Sequence, residues 1–85
     1  MAAVSIRMST EVMLRVIIAD DDAFARRVIK GALQAAGMTV VAEAKDGHEA
    51  VELSLHYRPD IVVMDVVMPG LDGILATRRI LKANP

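Results

Sequence analysis

The stretch Leu14-Arg15-Val16-Ile17-Ile18-Ala19-Asp20-Asp21-Asp22 decides how the rest of the chain is read. An apolar, β-branched run from Leu14 to Ala19 suits a buried strand, and three aspartates end it in an acidic turn. A second run of the same design, Ile61-Val62-Val63-Met64, is opened by Asp60 and closed by Asp65. Four successive apolar positions predict a strand covered on both faces, the most buried of the sheet.

Between these runs Ala25, Val28, Ile29, Ala32, Leu33 and Ala36 recur at three- and four-residue spacing, with Arg26, Arg27, Lys30 and Gln34 on the other face. That period predicts an amphipathic helix from Ala23 to Ala36. Asp22 is placed to cap its start, and Gly37 to stop it in a left-handed conformation. Thr39 to Ala44 reads as a second strand whose Glu43 is more tolerable at a sheet edge than at its centre. Asp46-Gly47 turns the chain into a short helix from His48 to Tyr57, carrying Ala50, Val51, Leu53 and Leu55, which Arg58-Pro59 terminates. Beyond Asp65, the apolar loop Val66-Val67-Met68-Pro69-Gly70-Leu71 leads to Asp72, the expected cap of a third helix. Ile74, Thr77, Ile80 and Leu81 share one side of that helix, while Arg78, Arg79 and Lys82 suit solvent and the carboxyl-terminal dipole.

Strands alternating with helices, joined by short connections, imply right-handed βαβ crossovers and a parallel α/β sheet. The 85 residues make one small domain: residues 1–12 read as a flexible leader without a sustained apolar block, and residues 13–85 as the folded part. At 54% hydrophobic and 25% charged the chain is too apolar for a disordered tail and too interrupted by charge for a membrane span. A net charge of -1 gives no overall pull toward nucleic acid or an anionic membrane. The absence of cysteine excludes disulfides and thiolate chemistry, and agrees with a reducing, cytoplasmic setting.

In parallel α/β sheets ligands collect beyond the carboxyl ends of strands, which is where Asp20, Asp21 and Asp65 fall. With the first and third strands adjacent, three anions share one cleft, and a divalent cation resolves their repulsion. Ligands that are all oxygens favour a hard ion such as Mg²⁺. A carboxylate beside Mg²⁺ can attack a phosphoryl group, and Asp65, alone at the end of its strand, is the better nucleophile; Asp20 and Asp21 are the better metal holders. A single aspartate after a strand is more often a helix cap or turn former, and Asp22 and Asp72 are read that way.

The strings Val16-Ile17-Ile18-Ala19-Asp20-Asp21-Asp22, Asp46-Gly47-His48-Glu49-Ala50, and Arg58-Pro59-Asp60-Ile61-Val62-Val63-Met64-Asp65-Val66-Val67-Met68-Pro69-Gly70-Leu71-Asp72-Gly73 together resemble the receiver domain of two-component response regulators. The likeness runs from about Leu14 to Asn84. It implies a flavodoxin-like, doubly wound parallel sheet, here shortened to three strands and three helices in the strand order 2-1-3. It also implies that Asp65 accepts a phosphoryl group, that Asp20 and Asp21 hold Mg²⁺, and that the backbone carbonyl of Val67 is a further metal ligand. The implied donor is a sensor histidine kinase or a phosphotransfer protein. The wording Gly73-Ile74-Leu75-Ala76-Thr77-Arg78 is similar to regulators that carry a helix-turn-helix output domain, although Leu75 stands where a polar residue is more usual.

Complete receivers have five strands, with a Ser or Thr closing the fourth and a Lys closing the fifth, whereas these 85 residues stop after the third helix. Thr77 and Lys82, which follow Asp65, fall inside that helix and cannot take those roles. The third strand would then present a hydrophobic edge at which two copies could pair. A phosphoacceptor signalling module, not an enzyme in its own right, is the expected function; the rival is an interaction module or receiver remnant without the chemistry. A haloacid-dehalogenase-like phosphatase also uses an aspartate after an apolar strand, but needs a second acid two residues on, where Val67 stands. His48 and His56 read as surface residues, and no Gly-x-Gly-x-x-Gly follows the first strand to hold a dinucleotide.

Overall fold

The computed structural model describes residues 13–65 and 73–83. The leader over residues 1–12, the loop over residues 66–72 with the carbonyl of Val67 and the cap at Asp72, and residues 84–85 lie outside the described residues. Six elements alternate: β1 (Arg15–Ala19), α1 (Ala23–Ala35), β2 (Thr39–Ala44), α2 (Gly47–Tyr57), β3 (Ile61–Met64) and α3 (Gly73–Ala83). The three strands form one parallel sheet in the order β2-β1-β3, the order the resemblance implies.

The strands are not buried as their composition suggests. β1 is the buried one, with Val16, Ile17 and Ile18 fully enclosed and Ala19 at 1% exposure, whereas all four residues of β3 are only half-buried. β1 is flanked by a strand on each side, but among the described residues β3 pairs with β1 alone. Asp60 precedes β3 and ties it to the start of β1: its amide donates to the Arg15 carbonyl at 2.8 Å, and its carboxylate accepts from the Arg15 amide at 2.8 Å.

A register shift between Val16 and Ile17 leaves Val41 as one extra residue of β2, because Val16 faces Val40 and Ile17 faces Ala42. The bulge sets the phase of the rest of the strand. Glu43 comes to stand beside Ile18 and meets α1, while Ala44 stands beside Ala19 and packs with Ala50 of α2. Successive residues of β2 thus meet different helices, which places α1 on one face of the sheet and α2 on the other. Leu53 and Met64 complete the cluster on the α2 side.

Helix ends follow the sequence closely. The Asp22 side chain accepts from the Phe24 amide, and Gly37 has φ +86° just past the cap residue Ala36, one residue beyond the end of α1. Asp46 is an N-cap rather than only a turn residue, accepting from the Glu49 amide at 2.8 Å while the Glu49 carboxylate accepts from the Lys45 amide at 2.9 Å. Arg58 ends α2 in the left-handed region at φ 48°.

Helix faces differ more. On α1 the half-buried stripe is Ala25, Ile29 and Leu33, whereas Val28, Ala32 and Ala36 of the predicted face are exposed, and Arg26 and Lys30 reach β2 instead of solvent. On α2, Ser54 is buried and Leu55 exposed. On α3 the buried residues are Gly73, Ala76 and Ile80, while Ile74, Thr77 and Leu81 of the predicted face are exposed. The reason is helix-on-helix packing: α3 packs chiefly on α2, where Gly47, Ala50 and Ser54 are the buried residues. Small side chains on both partners let the backbones approach closely, and bulky residues are displaced to the flanks. Between β3 and α3 a cleft of about 200 Å³ remains, lined by Val62, Met64, Thr77, Ile80 and Leu81 among others.

Candidate functional site: an acidic cluster at the strand ends

Parallel pairing brings the carboxyl ends of β1 and β3 side by side. Ala19 faces Met64 in the register, and the Asp65 amide donates to the Ala19 carbonyl at 2.9 Å. The next residue of each chain segment is an aspartate, so the two acids emerge together. Carboxylate oxygens of Asp20, Asp21 and Asp65 all lie within 4.8 Å of one another, with Asp20 and Asp65 half-buried and Asp21 exposed. Sequence reading expected these three residues to converge, and they do.

Asp20 is held at its amide, its carboxylate and its carbonyl oxygen. Its amide donates to the Ala44 carbonyl of β2 at 3.0 Å, and its Oδ1 accepts from the Asp22 amide at 2.9 Å. Its carbonyl oxygen accepts from Nη1 of Arg26 at 2.6 Å. Arg26 is itself held by Glu43, with Nε 3.2 Å from Oε1, and Lys30 Nζ lies 3.3 Å from the other oxygen of Glu43. The sequence reading missed this support because periodicity assigned Arg26 and Lys30 to solvent. The available signal was their i, i+4 spacing on a helix that follows the acidic turn, opposite a charged residue on an edge strand.

Three oxygen donors close enough to share one ion, two of them partly shielded from water, suit a hard divalent cation such as Mg²⁺. His48 and His56 are exposed on α2 and take no part in this cluster. Thr77 donates to the Gly73 carbonyl at 2.7 Å, and Lys82 is exposed on α3.

A parallel α/β sheet with an acidic cleft where its first and third strands end defines a domain built around an oxygen-ligand site at the strand tips. A family model for the response regulator receiver domain matches residues 16–85, and the chain belongs to that family. It is 49% identical over 72 residues to a protein-glutamate methylesterase/protein-glutamine glutaminase of Haloarcula marismortui, an alignment covering 85% of this chain and 20% of that protein. The response regulator domain of Thermotoga maritima CheB superposes with a TM-score of 0.84 at 44% identity, over 87% of this chain and 56% of that one. A chain of the CheX-CheY-BeF3-Mg+2 complex from Borrelia burgdorferi superposes with a TM-score of 0.76 at 34% identity, over 81% of this chain and 53% of that one. The chain spans about a fifth of the length of the methylesterase relatives it matches, their receiver part. Among the described residues no helix is long and apolar enough to cross a membrane.

Proposed function

We propose that the chain is a phosphoacceptor module of a two-component phosphorelay, in which Asp65 receives a phosphoryl group from a phosphohistidine of a sensor kinase or phosphotransfer protein. The observation that carries this reading is the convergence of Asp20, Asp21 and Asp65 at the ends of two adjacent parallel strands. An Oδ atom of Asp65 attacks phosphorus, an O–P bond forms as the donor's N–P bond breaks, and the departing imidazole takes up a proton. Mg²⁺, when held by Asp20, Asp21 and Asp65 with the carbonyl of Val67 as a further ligand, screens the approach of the two anions and stabilises charge on the phosphoryl oxygens. Asp21, the exposed member, supplies its carboxylate from the solvent side, and Asp20 supplies one already oriented by the Asp22 amide. A phosphohistidine donor charged from a nucleotide supports a cytoplasmic setting for the module.

A second reading is an interaction module that uses the receiver surface without phosphotransfer. Intact mass after incubation with a small-molecule phosphodonor, with and without Mg²⁺, tests both readings. A Mg²⁺-dependent gain of one phosphoryl group, lost in Asp65→Asn, supports the phosphoacceptor. No gain in a chain shown to be folded supports the interaction module.

A further inference from the structure

We infer that Arg26, oriented by Glu43, is a positioning residue for the acidic cluster: its guanidinium holds the peptide of Asp20 and so sets where the Asp20 and Asp21 carboxylates point. The inference rests on the metal-binding reading of that cluster, and deepens it. Arg26 lies on the first turn of α1, and its Nη1 is 2.6 Å from the Asp20 carbonyl, a short charge-assisted bond. The Arg26 amide also donates to the Asp22 carbonyl at 3.0 Å, so one residue grips both ends of the three-aspartate turn.

Glu43 decides which way the guanidinium faces. It takes Nε of Arg26 on one carboxylate oxygen and Nζ of Lys30 on the other, at 3.2 and 3.3 Å. This geometry depends on the bulge at Val41. Without the extra residue, Glu43 would stand beside Ala19 on the α2 side, against Ala50, and Arg26 would have no anchor. The side chain of Arg26 is 18% exposed, more enclosed than Glu43 at 34% or Lys30 at 41%, as suits a clamp rather than a solvent-facing charge. The Asp20 peptide is thus fixed by β2 through Ala44 and by α1 through Arg26, and its carboxylate is held by the Asp22 amide.

Amide-resolved NMR on the full 85-residue chain tests this, with Mg²⁺ titration and hydrogen exchange read from the same spectra. In Arg26→Met, Mg²⁺ affinity is expected to fall about tenfold, the scale seen when groups supporting metal ligands are removed. The Asp22 amide, bonded to Asp20 Oδ1, should lose protection in step. Arg26→Lys should recover part of both, and Glu43→Gln should weaken Mg²⁺ binding by about threefold with no further loss when combined with Arg26→Met, because the two act through one contact. Arg27→Met, which removes an exposed charge one residue away, should change neither quantity. A role confined to joining α1 to β2 would lower the denaturation midpoint while leaving the Mg²⁺ affinity of the folded chain and the Asp22 amide alone. Unchanged affinity and exchange in folded Arg26→Met would overturn the inference, as would an equal loss in Arg27→Met. If Arg26→Met does not fold, Glu43→Gln carries the same test. A parent chain that takes up no Mg²⁺, yet loses Asp22 protection in Arg26→Met, would refute the metal reading and uphold the clamp.

Discussion

The amide of Asp65 lies 2.9 Å from the carbonyl oxygen of Ala19, so a residue of the acidic cluster itself continues the pairing of β1 with β3 past Met64. Asp65 is therefore tied to the sheet through its own backbone. Ala19, at 1% exposure and packed with Ala44 and Ala50, leaves no space between the sheet and α2. Ala19→Leu should press α2 away from the strand ends and cost about 1–3 kcal/mol, the usual penalty for overpacking. Chemical denaturation would give the loss, and a Mg²⁺ titration of the folded fraction would show whether the strand tips separate with it.

Three carboxylates within 4.8 Å make the cluster a source of repulsion until a cation joins it. Asp21, its exposed member, can be neutralised with the least structural cost. Asp21→Asn is expected to leave metal-free stability equal or slightly raised, and to remove most of the stabilisation that Mg²⁺ gives the parent, which at a hundredfold excess over Kd is about 2.7 kcal/mol. Thermal denaturation with MgCl₂ against a matched ionic strength of NaCl separates specific binding from screening. An equal response of both chains to Mg²⁺ would remove Asp21 from the site.

On α3, the residues that periodicity favours and those the fold buries make opposite predictions. Ile80 is 8% exposed and Leu81 55% exposed, although the sequence places both on one side. Ile80→Ala should cost about 2–4 kcal/mol, as core truncations do, and Leu81→Ala no more than about 0.5 kcal/mol. For a domain this small the first loss could unfold most of the population, so far-ultraviolet circular dichroism at low temperature would read it directly.

Ser54 is 2% exposed, and among the described residues its hydroxyl has no hydrogen-bond partner. It is one of three small buried residues of α2, with Gly47 and Ala50, and alanine fits the same space. Ser54→Ala should stabilise the chain by about 1 kcal/mol, from relief of a buried unsatisfied hydroxyl and a better helix former. A lower denaturation midpoint in the variant would mean that the hydroxyl has a partner in solution.

Gly37 has φ +86° and open space where a side chain would project. The cost of Gly37→Ala is then purely one of backbone conformation, about 1–2 kcal/mol, and Gly37→Asn should cost less because asparagine tolerates the left-handed region. Comparing the three midpoints isolates that term.

What the sequence determined by itself was whatever depends on local chemistry and on strand order. Apolar runs ending in aspartate, an Asp cap, a glycine stop and Arg58-Pro59 marked the elements to within a residue or two, because each signal acts on its own backbone. The site aspartates were legible for the same reason: an acid directly after a buried strand is carried to the strand tip whatever the rest of the chain does. Tertiary structure decided which faces are covered. The one-residue bulge at Val41 cannot be read from two adjacent valines, yet it turns Glu43 toward Arg26 and makes a solvent-facing arginine into the support of Asp20. Ile74 and Leu81 lost their predicted place to Gly73 and Ala76 because α3 packs on another helix, where close approach favours small residues over large ones.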